Sequence, residues 1–461
     1  MKKRFLKRAF CLVVAIFMLC SFSGCELLQG VLPENVCFHI FDNGSIEKQA
    51  TCSETGEKLH VCTLCGEEEI RTLPMTEHDY ETEYKYDSNG HWIKCKNCVS
   101  TKDYSGHEFS NDQTNCSICS YAKLQANGEI SFHFMTLGNE KAGDCVYVKA
   151  GDNDILIDGG SDYDSLDDIT SYVDKYVTDN TLEYVIVTHA DMDHIACFAG
   201  STSGQSLYDY YEVKTIIDFP LTNKTTAVYK RYVSERTDEI NDGNTVHYTA
   251  LECYNNQNGA KREYLLNSDG SLKLEILYNY FYDHTDGDEN NYSVCVMFHH
   301  GEKQFLFTGD LEKEGEEKLA EFYDFKQVEL YKAGHHGSPT SSNDCLLREI
   351  QPKICVACCC AGSVQYTDNL ENTFPSQAFI NRIAPYTNKI YVPVTVEIEQ
   401  DGTLQNGSPN YSNKGEFKML NGNIVILSQL EEVKVECSAN NTILKNTDWF
   451  KEYRETPPEW A

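Results

Sequence analysis

From about residue 129 the chain alternates short apolar runs with polar, turn-rich stretches. Ile130 to Leu137, Cys145 to Val148, Ile155 to Ile157, Tyr184 to Val187 and Thr215 to Ile217 are rich in β-branched and aromatic residues. Leu272 to Leu277, Ser293 to Phe298, Gln304 to Phe307 and Val328 to Tyr331 continue the pattern. Runs of this length and composition predict strands. Ser165 to Tyr176, Glu312 to Tyr323, Asn343 to Ile350 and Ser376 to Ile383 predict helices. Strands and helices mixed over residues 129–430 predict a layered α/β sandwich, with residues 431–461 as a C-terminal extension.

Residues 37–124 read differently. Aliphatic residues are sparse, and a His-x-aromatic unit recurs at His39-Ile40-Phe41, His78-Asp79-Tyr80 and His107-Glu108-Phe109. Each is followed by a Cys-x-x-Cys pair: Cys62/Cys65, Cys95/Cys98 and Cys116/Cys119. Small repeats without an apolar core need metal or disulfides to fold. The spacing Cys95-x2-Cys98-x17-Cys116-x2-Cys119 predicts a four-thiolate zinc ribbon. Cys37, His39, Cys52, Cys62, Cys65 and His78 are all candidates for a further structural zinc site, and disulfide pairing of the same cysteines is the alternative. The segment resembles the Cys/His repeats near the surface-exposed ends of many Gram-positive exported proteins, which implies a spacer or a contact with the cell envelope. Cys355, Cys358, Cys359 and Cys360 lie instead in the apolar run Ile354 to Ala361, where cysteine serves as a small hydrophobe of a buried strand.

The first 30 residues fit neither region. Lys2, Lys3, Arg4, Lys7 and Arg8 precede the apolar run Ala9 to Leu19, and small residues lead to Phe22-Ser23-Gly24-Cys25. This is the form of a secretory signal peptide over residues 1–24, too short to span a bilayer. Its end resembles a bacterial lipobox, which implies acylation of Cys25, a linker over 25–36 and a chain held on the outer face of the cell membrane; without lipidation the protein is secreted.

Formal net charge is −32, and residues 1–24 hold five positive charges and no acidic ones, leaving −37 for the rest. Such a charge repels polyanions at long range and argues against a broad, sequence-blind nucleic-acid surface.

The segment with most chemistry is Tyr184-Val185-Ile186-Val187-Thr188-His189-Ala190-Asp191-Met192-Asp193-His194. A buried strand ends at Thr188, and four metal-ligand side chains follow. Residues two apart in extended chain share a side, so His189 and Asp191 can converge on one point, with Asp193 and His194 facing a second. Buried charge of this density requires a cation. Ile155-Leu156-Ile157-Asp158-Gly159-Gly160 and Phe305-Leu306-Phe307-Thr308-Gly309-Asp310 are strands ending on carboxylates, and Leu330-Tyr331-Lys332-Ala333-Gly334-His335-His336-Gly337-Ser338 is one ending on paired histidines. Strand ends delivering ligands to one sheet edge make a rigid metal site.

In order, these motifs resemble those of the metallo-β-lactamase superfamily, and in detail the extracellular hydrolase domain of ComEC-type competence proteins, which carry Asp where most relatives have a second His, as at Asp191. Asn290 and Ser293 match that branch's Asn-x-x-Ser strand entry. The resemblance implies an αββα sandwich with two divalent ions, zinc or manganese. His189, Asp191, Asp193 and His194 match the binding motif, Asp310 the bridging carboxylate, one of His335 and His336 the last histidine, and Asp158 a residue that orients ligands. Asp193, His194 and Asp310 are the candidate catalytic residues. The family's Gly-Gln-Gly-Asp turn is lengthened here to Gly138–Asp144, and its late His-Pro pair is Phe374-Pro375.

The function implied is an exported phosphodiesterase or nuclease-like hydrolase acting on a small or polymeric phosphoester. The alternatives are a hydrolase of another cell-envelope ester or amide, and a zinc-repeat adhesion protein beside an inactive domain. Ser338 and Asn290 are candidate substrate contacts, and Lys332 is a candidate for a basic rim beside the metals.

Overall fold

The computed structural model describes residues 38–86, 91–106, 108, 116–119, 128–202, 204–405, 408–429 and 431–461. The chain forms two compact units, 1–122 and 123–461. Residues 1–36 with Cys25, as well as Cys37, His107 and Phe109, lie outside the described residues. Among the described residues no helix is long and apolar enough to cross a membrane.

Among the described residues the first unit holds two antiparallel three-stranded sheets. One joins Ser45–Lys48, Gly56–Val61 and Glu68–Leu73; the other joins Lys85–Tyr86, His91–Lys94 and Thr101–Ser105. The strands Ser45–Lys48 and Thr101–Ser105 are exposed along their whole length. Ile46, Ile70 and Tyr104 face water. The side chains that are buried, among the described residues of this unit, are Cys52, His60, Cys62, His91, Cys95 and Cys116.

The second unit is built on two large sheets. The first orders its strands Val246–Thr249, Glu212–Asp218, Thr181–Ile186, Asn153–Ile157, Val146–Ala150, Ile130–Phe134, Ile424–Ser428, Val433–Cys437. The second runs Glu263–Leu265, Leu272–Ile276, Val296–His300, Lys303–Phe307, Leu330–Lys332, Ile354–Val356, Ile390–Tyr391. They meet face to face: the Phe132 ring lies 5.4 Å from Phe298, 4.7 Å from Phe305 and 5.5 Å from Phe307. Side chains alternate along a strand, so Phe305 and Phe307 fill this central layer while Leu306 points to the opposite face. There it joins Leu319, Leu346, Leu347 and Phe379 from helices Lys313–Phe322, Asp344–Ile350 and Gln377–Ile383. Helices Leu166–Val173, Met192–Ala199 and Ala227–Asn241 pack on the first sheet through Ile169, Ile195, Phe198 and Tyr232. The result is the αββα sandwich.

Two expectations change. Residues 431–461 pack into this unit instead of extending from it: Val433–Cys437 is an edge strand, and Leu444, Trp449, Phe450 and Trp460 are buried in the core beside Phe379. The run Ile354 to Ala361 is two short strands, Ile354–Val356 and Cys360–Ala361, in different sheets; Cys355, Cys358, Cys359 and Cys360 are buried there outside any disulfide.

Register decides where the chemistry lands. Ile157, Ile186 and Ile217 are parallel neighbours, so Asp158 and Thr188 leave the sheet side by side. In the other sheet Leu306 pairs with Tyr331 and Lys332 with Val356, again in parallel. Both sets of carboxyl-terminal strand ends therefore deliver polar side chains to one edge of the sandwich.

Candidate metal centre

Four strand ends and one helix start supply the cluster. The extended chain after Thr188 carries His189 and Asp191, and Asp191 begins helix Met192–Ala199, whose first turn holds Asp193 and His194. Asp310 follows the strand Lys303–Phe307 through Thr308 and Gly309. Gly309 lies at φ 55, and a Cβ there would come within 2.9 Å of both Ser293 and Thr188, so this crossing of three segments tolerates only glycine. His335 and His336 both hold left-handed backbone, φ 46 and 58, a strained pair just beyond the strand Leu330–Lys332.

Asp310 Oδ2 is 3.1 Å from His194 Nε2 and 3.1 Å from His336 Nε2. His336 Nε2 is 3.5 Å from Asp193 Oδ2. The His189 ring lies 4.1 Å from that of His194, tilted by 49°, and its Nε2 lies 3.7 Å from Asp191 Oδ2. His189, Asp191, Asp193, His194, Asp310 and His336 are thus brought together. Of the paired histidines, His336 is buried in the cluster; His335 stands at the rim, 3.9 Å from Asp310 and 3.3 Å from Glu312.

A layer of partners orients these rings. Asp158 accepts hydrogen bonds from Thr188 N and Oγ1, both at 2.8 Å, and its Oδ2 lies 2.8 Å from His194 Nδ1. With Nδ1 engaged, His194 presents Nε2 to Asp310. For His336 the Cys358 carbonyl takes this part, 3.0 Å from Nδ1, while Asp144 Oδ1 lies 3.2 Å away as a charge partner without a hydrogen bond of its own. Sequence reasoning had Asp144 only as the end of a lengthened turn. The available signal was its place at the mouth of the buried strand that follows, the counterpart of Asp158 after its own strand.

Lys332 is not a rim residue. It is 2% exposed, and its ammonium pairs with Asp144 and donates to Asp310 Oδ1 at 3.1 Å and to the Gly309 carbonyl at 3.0 Å. The cation at the mouth is Lys224, paired with Asp191. Tyr366 Oη donates to Asp193 Oδ2 at 2.8 Å from another loop. Buried Glu289 anchors the Lys224 loop, accepting from Thr222 Oγ1 at 2.7 Å, Asn223 N at 2.8 Å and Ala190 N at 3.1 Å. Lys224, Tyr366 and Glu289 belong to no local pattern, which is why sequence did not reveal them. Ser338 is buried and bonded to Thr340; Asn290 donates to Glu312.

Burial opposes charge throughout. It carries His189 well below the usual imidazole range. Burial acts the same way on His194 and His336, but Asp310, with Asp158 or Asp144, outweighs it and raises both. Burial pushes Asp310 up as well, yet His194, His336 and Lys332 hold it well below the usual carboxylate range. Asp144, Asp158, Asp191, Asp193 and Asp310 thus share a site whose fixed cations are Lys332 and Lys224. His189 Nε2 and His336 Nε2 are buried without a hydrogen-bond partner. Unsatisfied imidazole nitrogens among excess carboxylates fit divalent cations, and the mixed donor set suits zinc or manganese.

Residues 138–205 match the family model described as "Metallo-beta-lactamase superfamily". ComE operon protein 3 of Bacillus subtilis is 25% identical over 227 residues, which is 49% of this chain and 24% of that protein. Recombination protein 2 of Haemophilus influenzae is 29% identical over 68 residues, 15% of this chain and 8% of that one. This chain spans less than a quarter of the length of these relatives. A putative metallo-β-lactamase of Thermotoga maritima overlaps 40% of this chain and 79% of its own at 18% identity and a TM-score of 0.25. The matched residues include the segment that delivers His189 to His194, so the αββα sandwich of the second unit resembles the metallo-β-lactamase superfamily over that stretch and is similar over part of its length to ComE operon protein 3.

Proposed function

We propose that this chain is an exported, metal-dependent hydrolase of phosphodiesters. One observation carries the reading: the mouth of the carboxylate–histidine cluster holds two donors, the Lys224 ammonium and the Tyr366 hydroxyl, each aimed at a site aspartate. Divalent ions bound at the cluster supply the Lewis acidity that makes water a nucleophile near neutral pH. The protein's own groups then have distinct tasks. Asp158 and the Cys358 carbonyl keep the Nε2 atoms of His194 and His336 facing inward, with Asp144 beside His336, and Lys332 offsets the charge of Asp310 from behind. Lys224, with ammonium protons to spare beyond its Asp191 pair, offers hydrogen bonds to the oxygens of an anionic substrate while Tyr366 holds Asp193 in place, a charge an uncharged ester or amide would not need.

The same mouth limits the size of substrate. Beyond Lys224, the chain's excess of acidic groups repels a long polyanion. Purified protein loaded with zinc or manganese should hydrolyse small chromogenic phosphodiesters and cut long duplex DNA poorly and with strong salt inhibition. Efficient, salt-insensitive duplex cleavage would overturn the size limit. Metal-loaded protein inactive on every phosphoester would transfer the reading to another envelope ester or amide.

Export through residues 1–24 and lipidation of Cys25 belong to the same proposal. Cys25→Ser should move the protein from the membrane fraction to the medium, and unchanged retention would contradict the anchor.

A further inference from the structure

The cysteines of the first unit are not grouped as their spacing suggests. A ribbon of Cys95, Cys98, Cys116 and Cys119 does not form. Cys95 and Cys98 gather with Cys52 and His78, while Cys116 and Cys119 gather with His91, and Cys62 and Cys65 with His39. We propose that Cys52, His78, Cys95 and Cys98 bind one zinc ion, and that the sites are staggered, the second and third Cys-x-x-Cys pairs each taking a residue of the preceding repeat.

The distances suit an ion. Cys52 Sγ and Cys95 Sγ are 3.8 Å apart, and His78 Nδ1 is 3.4 Å from Cys98 Sγ. With Zn–S near 2.3 Å and Zn–N near 2.0–2.1 Å, a regular tetrahedron has S–S edges of about 3.8 Å and S–N edges of about 3.6 Å. The sulfur separation is nearly twice a disulfide bond of about 2.05 Å. The end clusters repeat the dimensions, with His39 Nδ1 3.4 Å from Cys65 Sγ and His91 Nδ1 3.8 Å from Cys116 Sγ.

The stagger has a structural consequence. Cys52 lies in the connection between Ser45–Lys48 and Gly56–Val61 of one sheet, whereas Cys95 and Cys98 follow the middle strand of the other. The central ion therefore fastens two sheets that share no apolar core cluster among the described residues. His91, on that same middle strand, passes the linkage to Cys116 and Cys119. Among the described residues of the unit, five of the six buried side chains, Cys52, Cys62, His91, Cys95 and Cys116, belong to these clusters. Burial here is burial around ions.

Cobalt(II) titration of the reduced, metal-free full chain tests this, read by sulfur-to-cobalt charge transfer. That signal counts thiolate sites alone, because the cluster of the second unit is histidine and carboxylate. Cys52→Ser should lose one equivalent, Cys116→Ser a different one, and the double variant both. If Cys95→Ser and Cys116→Ser remove the same equivalent, the sequential ribbon is correct and the stagger is wrong. His78→Cys guards against simple misfolding: it adds a thiolate to the central site and should raise that site's absorption by about a third. An unchanged His78→Cys spectrum overturns the assignment whatever Cys52→Ser does.

Discussion

The two units of this chain place metal ligands by opposite means. In the second, a double-sheet core centred on Phe132, Phe298, Phe305 and Phe307 fixes the strand ends first, and His189, Asp193, Asp310 and His336 ride on them. In the first, strands such as Ser45–Lys48 are exposed throughout and the buried groups are the ligand types themselves. The ligands of the second unit are held by the fold. Those of the first must hold it. A site of the first sort can keep unsatisfied nitrogens and strained histidines for chemistry, because the core supplies the stability. A site of the second sort has every ligand committed to structure.

Chelation should separate the two most sharply. Structural zinc in small modules contributes apparent binding free energies of about 10–16 kcal/mol, which is folding free energy where no other core exists. A strong chelator added to the full chain should abolish amide protection in the strands Gly56–Val61 and His91–Lys94 of the first unit while strands such as Asn153–Ile157 and Lys303–Phe307 stay protected. Hydrogen exchange read by peptide shows both in one experiment. Loss of protection in both units together would mean that the histidine–carboxylate cluster is also structural.

Within the second unit the next largest effect is on activity alone. Asp193 touches both His336 and Tyr366. Asp193→Ala should reduce hydrolysis of small phosphodiesters by more than the roughly 10–100-fold that a change in the surrounding layer costs. The thermal midpoint should hold, since the helix that carries Asp193 is anchored by Ile195 and Phe198. Residual activity within tenfold of the unchanged protein would place the chemistry elsewhere.

Asp144→Asn acts one layer further out. It keeps the shape but removes a charge that Lys332 and His336 share, so metal affinity or activity should fall about 10–100-fold. Competition with a chromophoric chelator measures the affinity directly. A normal affinity would show that the Cys358 carbonyl alone orients His336.

These contrasts also explain what sequence could and could not disclose. His189, Asp191, Asp193, His194, Asp310 and the His335–His336 pair are legible because each motif is continuous and follows an apolar run. Asp144 gains its role only from Lys332 and His336, far along the chain, so no local pattern marks it. The Cys-x-x-Cys pairs are local and were visible; which partners complete them depends on how the repeats cross, and spacing alone favoured the wrong set. Helix Ala227–Asn241 was missed because it buries only Val228 and Tyr232, too few for an apolar stripe. The edge strand Val433–Cys437 does alternate, Val-Lys-Val-Glu-Cys, and its pattern was there to be used.

The smallest effect is expected where ordinary sheet logic would place a large one. Ile70 sits in the middle of Glu68–Leu73, paired across the ladder with Leu59, and on pattern alone it reads as a core position. It is 62% exposed, so truncating it removes little area from contact with protein. Ile70→Ala should therefore change the stability of the metal-loaded first unit by no more than about 0.5 kcal/mol. The same substitution at Ile426, fully buried between the strands of the second unit, carries a cost of about 2–5 kcal/mol. Denaturation midpoints of the two variants, each followed by exchange in its own unit, give the comparison. A loss near 2 kcal/mol at Ile70 would mean that an apolar contact supports the first unit after all, and that its ions share the task of holding it together.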